Sequence, residues 1–259
     1  MATKLKSTLH LQTAHVLFVD IVGYSKLLVN EQREVVEELN QAVRQTPQFR
    51  KSEAAGQLIR IQAGDGMALV FFQSPEEPVH CAMEIAAALK NDPRIRLRMG
   101  IHSGPVDRLK DVNDQINIAG VGINIAQRVM ALGDGGHILL TRRIAADLSE
   151  DAYWHQHLHD LGEVELKHGT KVGIANLYTQ EVGNPQLPEK VKASRKNNRP
   201  WTALDAINVF AHTGKGQVAI AFLLLAIGLC LWKLSAWVSR SFDNSPAVSA
   251  KIIKSCDTS

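Results

Sequence analysis

The stretch VLFVDIVGYS, Val16 to Ser25, decides the fold. Val16, Leu17, Phe18 and Val19 form an unbroken apolar run rich in β-formers, the pattern of a strand buried on both faces. The run ends on Asp20, a carboxylate at the strand tip. Gly23 permits a tight turn, and Ser25 is a good N-cap for a helix. A carboxylate between a buried strand and a helix start has a rigid backbone behind it and exposed amides beside it. Metal and phosphate binding both suit that position.

A second stretch answers the first. Leu58 to Phe72 reads LIRIQAGDGMALVFF, two apolar runs broken at Gly64-Asp65-Gly66. Asp-Gly between strand-like runs is a strong hairpin signal and places Asp65 at the tip. An Asp in a turn ordinarily just makes the turn. Two aspartates at the tips of buried strands carry more, because paired hard carboxylates bridged by Mg²⁺ serve phosphoryl-transfer chemistry.

Around these strands the chain alternates. A helix is expected over about residues 25–45, with Pro47 marking Thr46 as a boundary. Ser74-Pro75-Glu76-Glu77 is a helix start, and that helix runs to about Lys90. Ile95 to His102 alternates as a strand, residues 107–116 read as a polar loop, and a helix is expected from Ile123 to Leu132. Gly133-Asp134-Gly135-Gly136 reads as a connecting loop, with a phosphate cradle as the alternative. His137 to Thr141 is a short strand, a helix follows to Leu148, and Trp154 to Tyr178 reads as strands. The pattern is that of an α+β sandwich with helices against one sheet.

Residues 1–13 form a polar lead-in, and the folded domain spans 14–179. Residues 180–215 read as a solvated basic linker, with Lys190, Lys192, Arg195, Lys196 and Arg199 among prolines; Trp201 to Phe210 can form an interfacial helix. Gly216 to Trp232 is 17 residues without a charge, and extension to Val238 reaches the length of a bilayer span. Residues 216–238 are therefore expected to be one transmembrane helix, followed by a polar tail over 239–259. The basic residues before it favour the N-terminal side inside, hence a single-pass protein of the bacterial inner membrane with its domain in the cytoplasm.

The net charge of +3 gives no footprint for a nucleic-acid partner. Three scattered cysteines, Cys81, Cys230 and Cys256, exclude a disulfide framework. No signal peptide is visible at the N-terminus. His155, His157 and His159 alternate in HQHLH as on one strand face; without a completing Cys or carboxylate cluster they read as surface histidines rather than a metal site.

Other residues with chemistry are Arg98 in RMGIHSG, Asn124 and Arg128 at i, i+4 on one helix face in GVGINIAQRV, and Lys167 in LGEVELKHG. Each has an ordinary reading, as a strand arginine, a solvated helix face or a turn lysine. Together with FVDIVGYS and GDGMALVF, in this order, these motifs resemble the catalytic domain of class III nucleotide cyclases, the adenylate and guanylate cyclase family. The resemblance runs from about Ala14 to Thr179. It implies a ferredoxin-like βαββαβ core that dimerises, with active sites between two chains. It also implies conversion of a nucleoside triphosphate to a 3′,5′-cyclic nucleotide and pyrophosphate.

Residue by residue, the resemblance makes Asp20, Asp65 and the Ile21 carbonyl ligands of two Mg²⁺ or Mn²⁺ ions. Arg98 contacts the terminal phosphates. From the partner chain, Asn124 orients the ribose, Arg128 stabilises charge on the α-phosphoryl group and Lys167 holds the β,γ-phosphates. The chain departs from the family at the positions that select the base. Relatives using ATP carry Lys, and those using GTP carry Glu, four residues before the second metal aspartate; here that residue is Ile61. Seven residues before the catalytic Asn stands Asn117, where ATP users have Asp or Thr and GTP users Cys. Neither purine pattern is matched. ATP remains open, as does a pyrimidine triphosphate (UTP or CTP), because the pyrimidine cyclases of Pycsar anti-phage systems also resemble this family. A small cyclase without a sensor in front of it fits that role. The competing reading is a catalytically silent dimerisation or nucleotide-sensing module; a polymerase-like transferase lacks a template groove.

Overall fold

The computed structural model describes residues 11–110, 116–167 and 169–197. The first strand, β1 (Gln12–Ile21), is the buried run expected: Val16, Leu17 and Val19 are fully inaccessible. Alternation sends Leu17, Val19 and Ile21 to one face and Val16 and Phe18 to the other, and each face meets its own apolar cluster.

A 3₁₀ turn at Tyr24–Lys26 follows, and α1 starts only at Val29, running to Gln45. The helix start expected at Ser25 is thus displaced. Gly23 adopts a left-handed φ of 83°, and the first turn of α1 is closed by Glu31, whose carboxylate accepts from the Leu28 backbone N–H at 2.8 Å. Beyond Thr46 the chain re-enters helix as α2 (Pro47–Ala54), with Pro47 at its first position and Phe49 in the core. The hairpin β2 (Leu58–Ala63) and β3 (Gly66–Phe71) pairs Ala63 with Gly66, so the turn residues are Gly64 and Asp65. Next come α3 (Glu76–Leu89) and β4 (Leu97–Lys110).

Strand β4 is longer than the sequence suggested. Its outer half pairs with β5 (Ile116–Ala119), so much of the polar segment read as a loop is a two-stranded arm. Helix α4 (Val121–Met130), β6 (Ile138–Thr141), α5 (Arg142–Ser149), a short α6 (Ala152–His155), β7 (Leu158–Glu165) and β8 (Lys171–Leu177) complete the sheet. Its strand order is β2-β3-β1-β4-β6-β8-β7, with β5 on β4. The first four main strands, β1 to β4, follow a βαββαβ path with antiparallel pairing throughout, as expected of a ferredoxin-like core.

Helices α1, α2, α3 and α5 cover one face of the sheet through Val35, Leu39, Phe49, Ile85 and Ile144. Helix α4 covers the other through Ala126 and Met130. A Cβ on Gly100 of β4 would lie 2.2 Å from the Met130 nitrogen, so α4 rests directly on the strand backbone there. This explains the glycine in RMGIHSG.

The segment after Thr179, read from the sequence as a solvated linker, packs on the domain. It forms α7 (Glu189–Asn197), and Val191 is fully buried. Lys190, Lys192 and Arg195 are exposed around this one apolar contact. Among the described residues no helix is long and apolar enough to cross a membrane. The expected span at 216–238, the interfacial helix before it, the first ten residues of the lead-in and the tail all lie outside the described residues, while Gln12 and Thr13, expected in the lead-in, open β1.

Candidate active site

Strand register brings the first group of residues together. In the sheet, Asp20 is paired with Gly66 on one side and with Arg98 on the other. Asp65 precedes Gly66 in the hairpin turn, so both aspartates converge at one end of the sheet. Gly66 allows this approach: a Cβ there would lie 2.1 Å from the Val19 carbonyl oxygen. Ile21 ends β1 with its side chain in the core, so only its backbone can serve as a ligand.

Asp20 is 8% exposed and is held by Arg98, whose Nε donates to Oδ2 at 2.7 Å and whose Nη2 forms an ion pair with the same oxygen at 2.6 Å. Burial nonetheless raises the Asp20 carboxyl above the usual carboxylate range; Arg98 opposes that rise and the neighbouring Asp65 adds to it. Two carboxylates therefore meet at a partly dry strand end, and one guanidinium, that of Arg98, favours the charged form of Asp20. Oxygen donors of this kind, with a backbone carbonyl alongside, fit a hard divalent cation, which would relieve their repulsion. Nη1 of Arg98 makes no hydrogen bond among the described residues.

The second group sits on the helix that covers the opposite face of the sheet from α1. Asn124 is exposed on α4, and Arg128 lies one turn later. Arg128 Nη1 donates to the Lys167 carbonyl at 3.2 Å, which joins α4 to the turn after β7. Lys167 itself is exposed in that turn, which is closed by the Leu166 N–H donating to the Thr170 carbonyl at 2.8 Å. Among the described residues no hydrogen bond or ion pair links this group to Asp20, Asp65 or Arg98.

The residues at the expected base positions lie on strands that touch, β2 and β5. Ile61 faces Ala68 in the hairpin and packs against the apolar cluster under α4. Asn117 is partly buried, and its Oδ1 accepts from the Ile118 N–H at 2.7 Å. Its amide group remains as a donor.

The histidine trio does not share a strand face. His155 ends α6, His157 lies in the following turn, and His159 is on β7 stacked on Tyr178 at 3.9 Å. Asp151 caps α6 by accepting from the Tyr153 N–H at 2.7 Å, and this local signal overrides the alternation. No cluster of three or more His, Cys, Asp or Glu suited to a metal occurs among the described residues. The loop at 133–136 is a connection: Gly136 N–H donates to the Leu97 carbonyl, and Asp134 accepts from the Glu189 N–H at 2.9 Å. A cavity of about 420 Å³ adjoins that loop, lined by Arg96, His137 and Val182 among others; none of the candidate residues lines it. Cys81 is buried, and burial pushes its thiol up to about 12, which removes it as a nucleophile.

A model of the adenylate and guanylate cyclase catalytic domain family matches residues 8–179. The chain belongs to that family. A putative adenylate cyclase 3 from Rhizobium meliloti is 25% identical over 168 residues, covering 62% of this chain and 26% of that protein. The chain thus spans about a quarter of that relative's length. Among solved structures, the guanylate cyclase domain of RhGC from Catenaria anguillulae in complex with GTP is 18% identical, with a TM-score of 0.53, over 67% of this chain and 98% of that one. The adenylyl cyclase CyaB from P. aeruginosa is 17% identical, with a TM-score of 0.53, over 68% of this chain and 100% of that one. Identities this low establish the fold. The cyclase fold includes both groups of candidate residues, since all of them lie within the matched stretch.

Proposed function

We propose that the chain is a class III nucleotide cyclase acting as a homodimer on a nucleoside triphosphate. The observation that carries this reading is the convergence of Asp20 and Asp65 at one sheet end, with Arg98 on Asp20. In the reaction the ribose 3′-hydroxyl attacks the α-phosphorus in line. The 3′-O–P bond forms, the bond to the bridging oxygen breaks, pyrophosphate leaves and the hydroxyl proton goes to solvent.

Asp20, Asp65 and the Ile21 carbonyl would hold two Mg²⁺ or Mn²⁺ ions, which lower the pKa of the attacking hydroxyl and neutralise the leaving group. Arg98 holds Asp20 in place and offers Nη1 to the terminal phosphates. Arg128 meets charge developing on the α-phosphoryl oxygens, Lys167 binds the β,γ-phosphates and Asn124 fixes the ribose. The separation of these residues into two groups within one chain supports a site built from two chains. Ile61 and the amide of Asn117 meet the base. An apolar wall with one amide donor reads neither purine by the usual contacts, which keeps UTP and CTP beside ATP as substrates and leaves room for an anti-phage signalling role. A single span at 216–238 would tether the catalytic domain to the cytoplasmic side of a bacterial membrane.

The test uses the full chain with Mn²⁺ and ATP, GTP, CTP or UTP supplied separately, read by mass spectrometry. We expect one cyclic nucleotide well above the others. Absence of product from all four, with dimer present, would point to a silent dimerisation module instead.

A further inference from the structure

Val191 lies outside the stretch matched by the family and outside the residues assigned to the site, yet it is fully buried. It plugs an apolar cluster with Val129, Leu139, Val164, Leu166 and Ile174. Two of these are chain neighbours of the two cations: Val129 follows Arg128, and Leu166 precedes Lys167. Polar contacts anchor the plug on either side. Lys190 Nζ donates to the Ala131 carbonyl at the C-terminus of α4, and Arg195 donates to the Leu161 carbonyl on β7. Before them, the Glu189 N–H donates to Asp134, and His137 Nε2 donates to the Gln186 carbonyl at 2.7 Å. Buried Asn176 on β8 donates to the Asn184 carbonyl at 2.7 Å.

The segment thus bridges the end of α4 and the β7–β8 ribbon. Apart from it, the direct polar tie between Arg128 and Lys167 is one hydrogen bond of 3.2 Å at the surface. A single surface bond fixes two long cationic side chains poorly, whereas a side chain packed on both backbones fixes their origins. We propose that Val191, clamped by Lys190, is a positioning residue that sets the spacing of Arg128 and Lys167. This rests on the cyclase reading of those two residues. A misplacement of about 1 Å at such a site costs on the order of 100-fold in rate. Arg128 acts on charge that develops in the transition state, so the loss falls on kcat more than on KM.

The experiment compares the full chain with its Val191→Ala and Val191→Ile variants. Kinetics on the preferred triphosphate are combined with amide hydrogen exchange. We expect Val191→Ala to lower kcat by about 10-fold or more with KM within about 3-fold, and Val191→Ile to stay near the parent. Exchange should quicken in α4 and the β7–β8 turn but not in the β1–β3 region that carries Asp20 and Asp65. In an Arg128→Ala background the Val191→Ala change should cost less than it costs the parent, because one of the two groups it positions is gone. Uniformly faster exchange, or full additivity with Arg128→Ala, assigns Val191 a general folding role and overturns the proposal. So does an unchanged exchange pattern. If the parent forms no cyclic product the cyclase reading fails, while the exchange pattern still decides whether Val191 orders these two elements.

Discussion

At the scale of single residues, the electrostatics of Asp20 and Asp65 make a testable statement about metal. Without a cation, burial and Asp65 raise the Asp20 carboxyl, so the pair is a local strain on the fold that Arg98 relieves only in part. Asp65→Asn removes the repulsion. Thermal unfolding in chelator should find this variant at least as stable as the parent. Saturating Mn²⁺ should raise the parent's stability by about 2–3 kcal/mol at 100 times its dissociation constant, and leave Asp65→Asn nearly unmoved. An equal Mn²⁺ response in both would remove Asp65 from the metal site. Asp20 holds its proton more tightly than a free carboxyl, so metal affinity should fall as pH is lowered.

His102 makes the second residue-scale prediction. It is 8% exposed on β4, its Nδ1 is 3.0 Å from the Thr141 hydroxyl, and burial with the nearby Arg143 depresses it to about 4. The unfolded chain takes up this proton near pH 6.5, whereas the folded chain refuses it until about pH 4. Stability is therefore lost as pH falls through that window, and no further loss from this group occurs below it. The contribution is up to about 3 kcal/mol. His15, also depressed by burial and 2.7 Å from the Ser103 hydroxyl, adds in the same direction. Urea unfolding at pH 7 and pH 4 should show a smaller drop for His102→Gln than for the parent; identical drops would mean His102 is charged in the fold.

At the scale of elements, the hairpin carries the site only because Gly66 lacks a side chain. In Gly66→Ala the new methyl meets the Val19 carbonyl, a backbone atom that cannot swing aside, so β3 must move off β1. Denaturant unfolding should register a loss of about 1–3 kcal/mol. The Mn²⁺ stabilisation should vanish with it, because Asp65 is carried away from Asp20. Retained metal response with lowered stability would show that the turn adjusts independently.

The same elements show what the sequence could and could not disclose. Buried β1 was legible because four consecutive apolar β-formers have few other uses. The hairpin was legible from Gly64-Asp65-Gly66, though its turn residues sit one place earlier than the Asp-Gly signal suggests. Asp20 and Ile21 end β1, and Asp65 sits in the hairpin turn. The outer half of β4 was hidden by polar Asp107, Arg108 and Lys110, since an arm exposed on its flanks needs no apolar alternation. Helix α6 was hidden by the alternation of HQHLH, which a cap at Asp151 defeats. Helix α7 was hidden most fully: one valine among lysines and arginines leaves almost no periodic signal, although that valine is completely buried. Arg98 was expected on phosphate; its ion pair with Asp20 follows from cross-strand register, which no local motif reports.

At the scale of the whole molecule, the proposed reaction asks that the two groups of site residues come from two chains. Asp20, Asp65 and Arg98 lie at one end of the sheet, while Asn124, Arg128 and Lys167 lie on α4 and the turn after β7. A two-fold interface that brings one group onto the other would make two equivalent sites, each taking Asp20, Asp65 and Arg98 from one chain and Asn124, Arg128 and Lys167 from its partner. The consequence is complementation. Asp20→Ala and Arg128→Ala homodimers each have two broken sites and should keep only a small residual activity. Mixed and allowed to exchange, they form heterodimers in which one site carries both lesions and the other carries none. Random exchange of equal amounts makes about half of the dimers mixed, so about a quarter of the parent activity should return on the cyclase assay. Recovery should scale with the extent of subunit exchange, followed by differently tagged chains. Exchange without recovery would place both groups in one chain's own site and reject the shared-site arrangement. Recovery between Asp20→Ala and Asp65→Ala should not occur, because those lesions fall in the same half, and this pairing is the internal control.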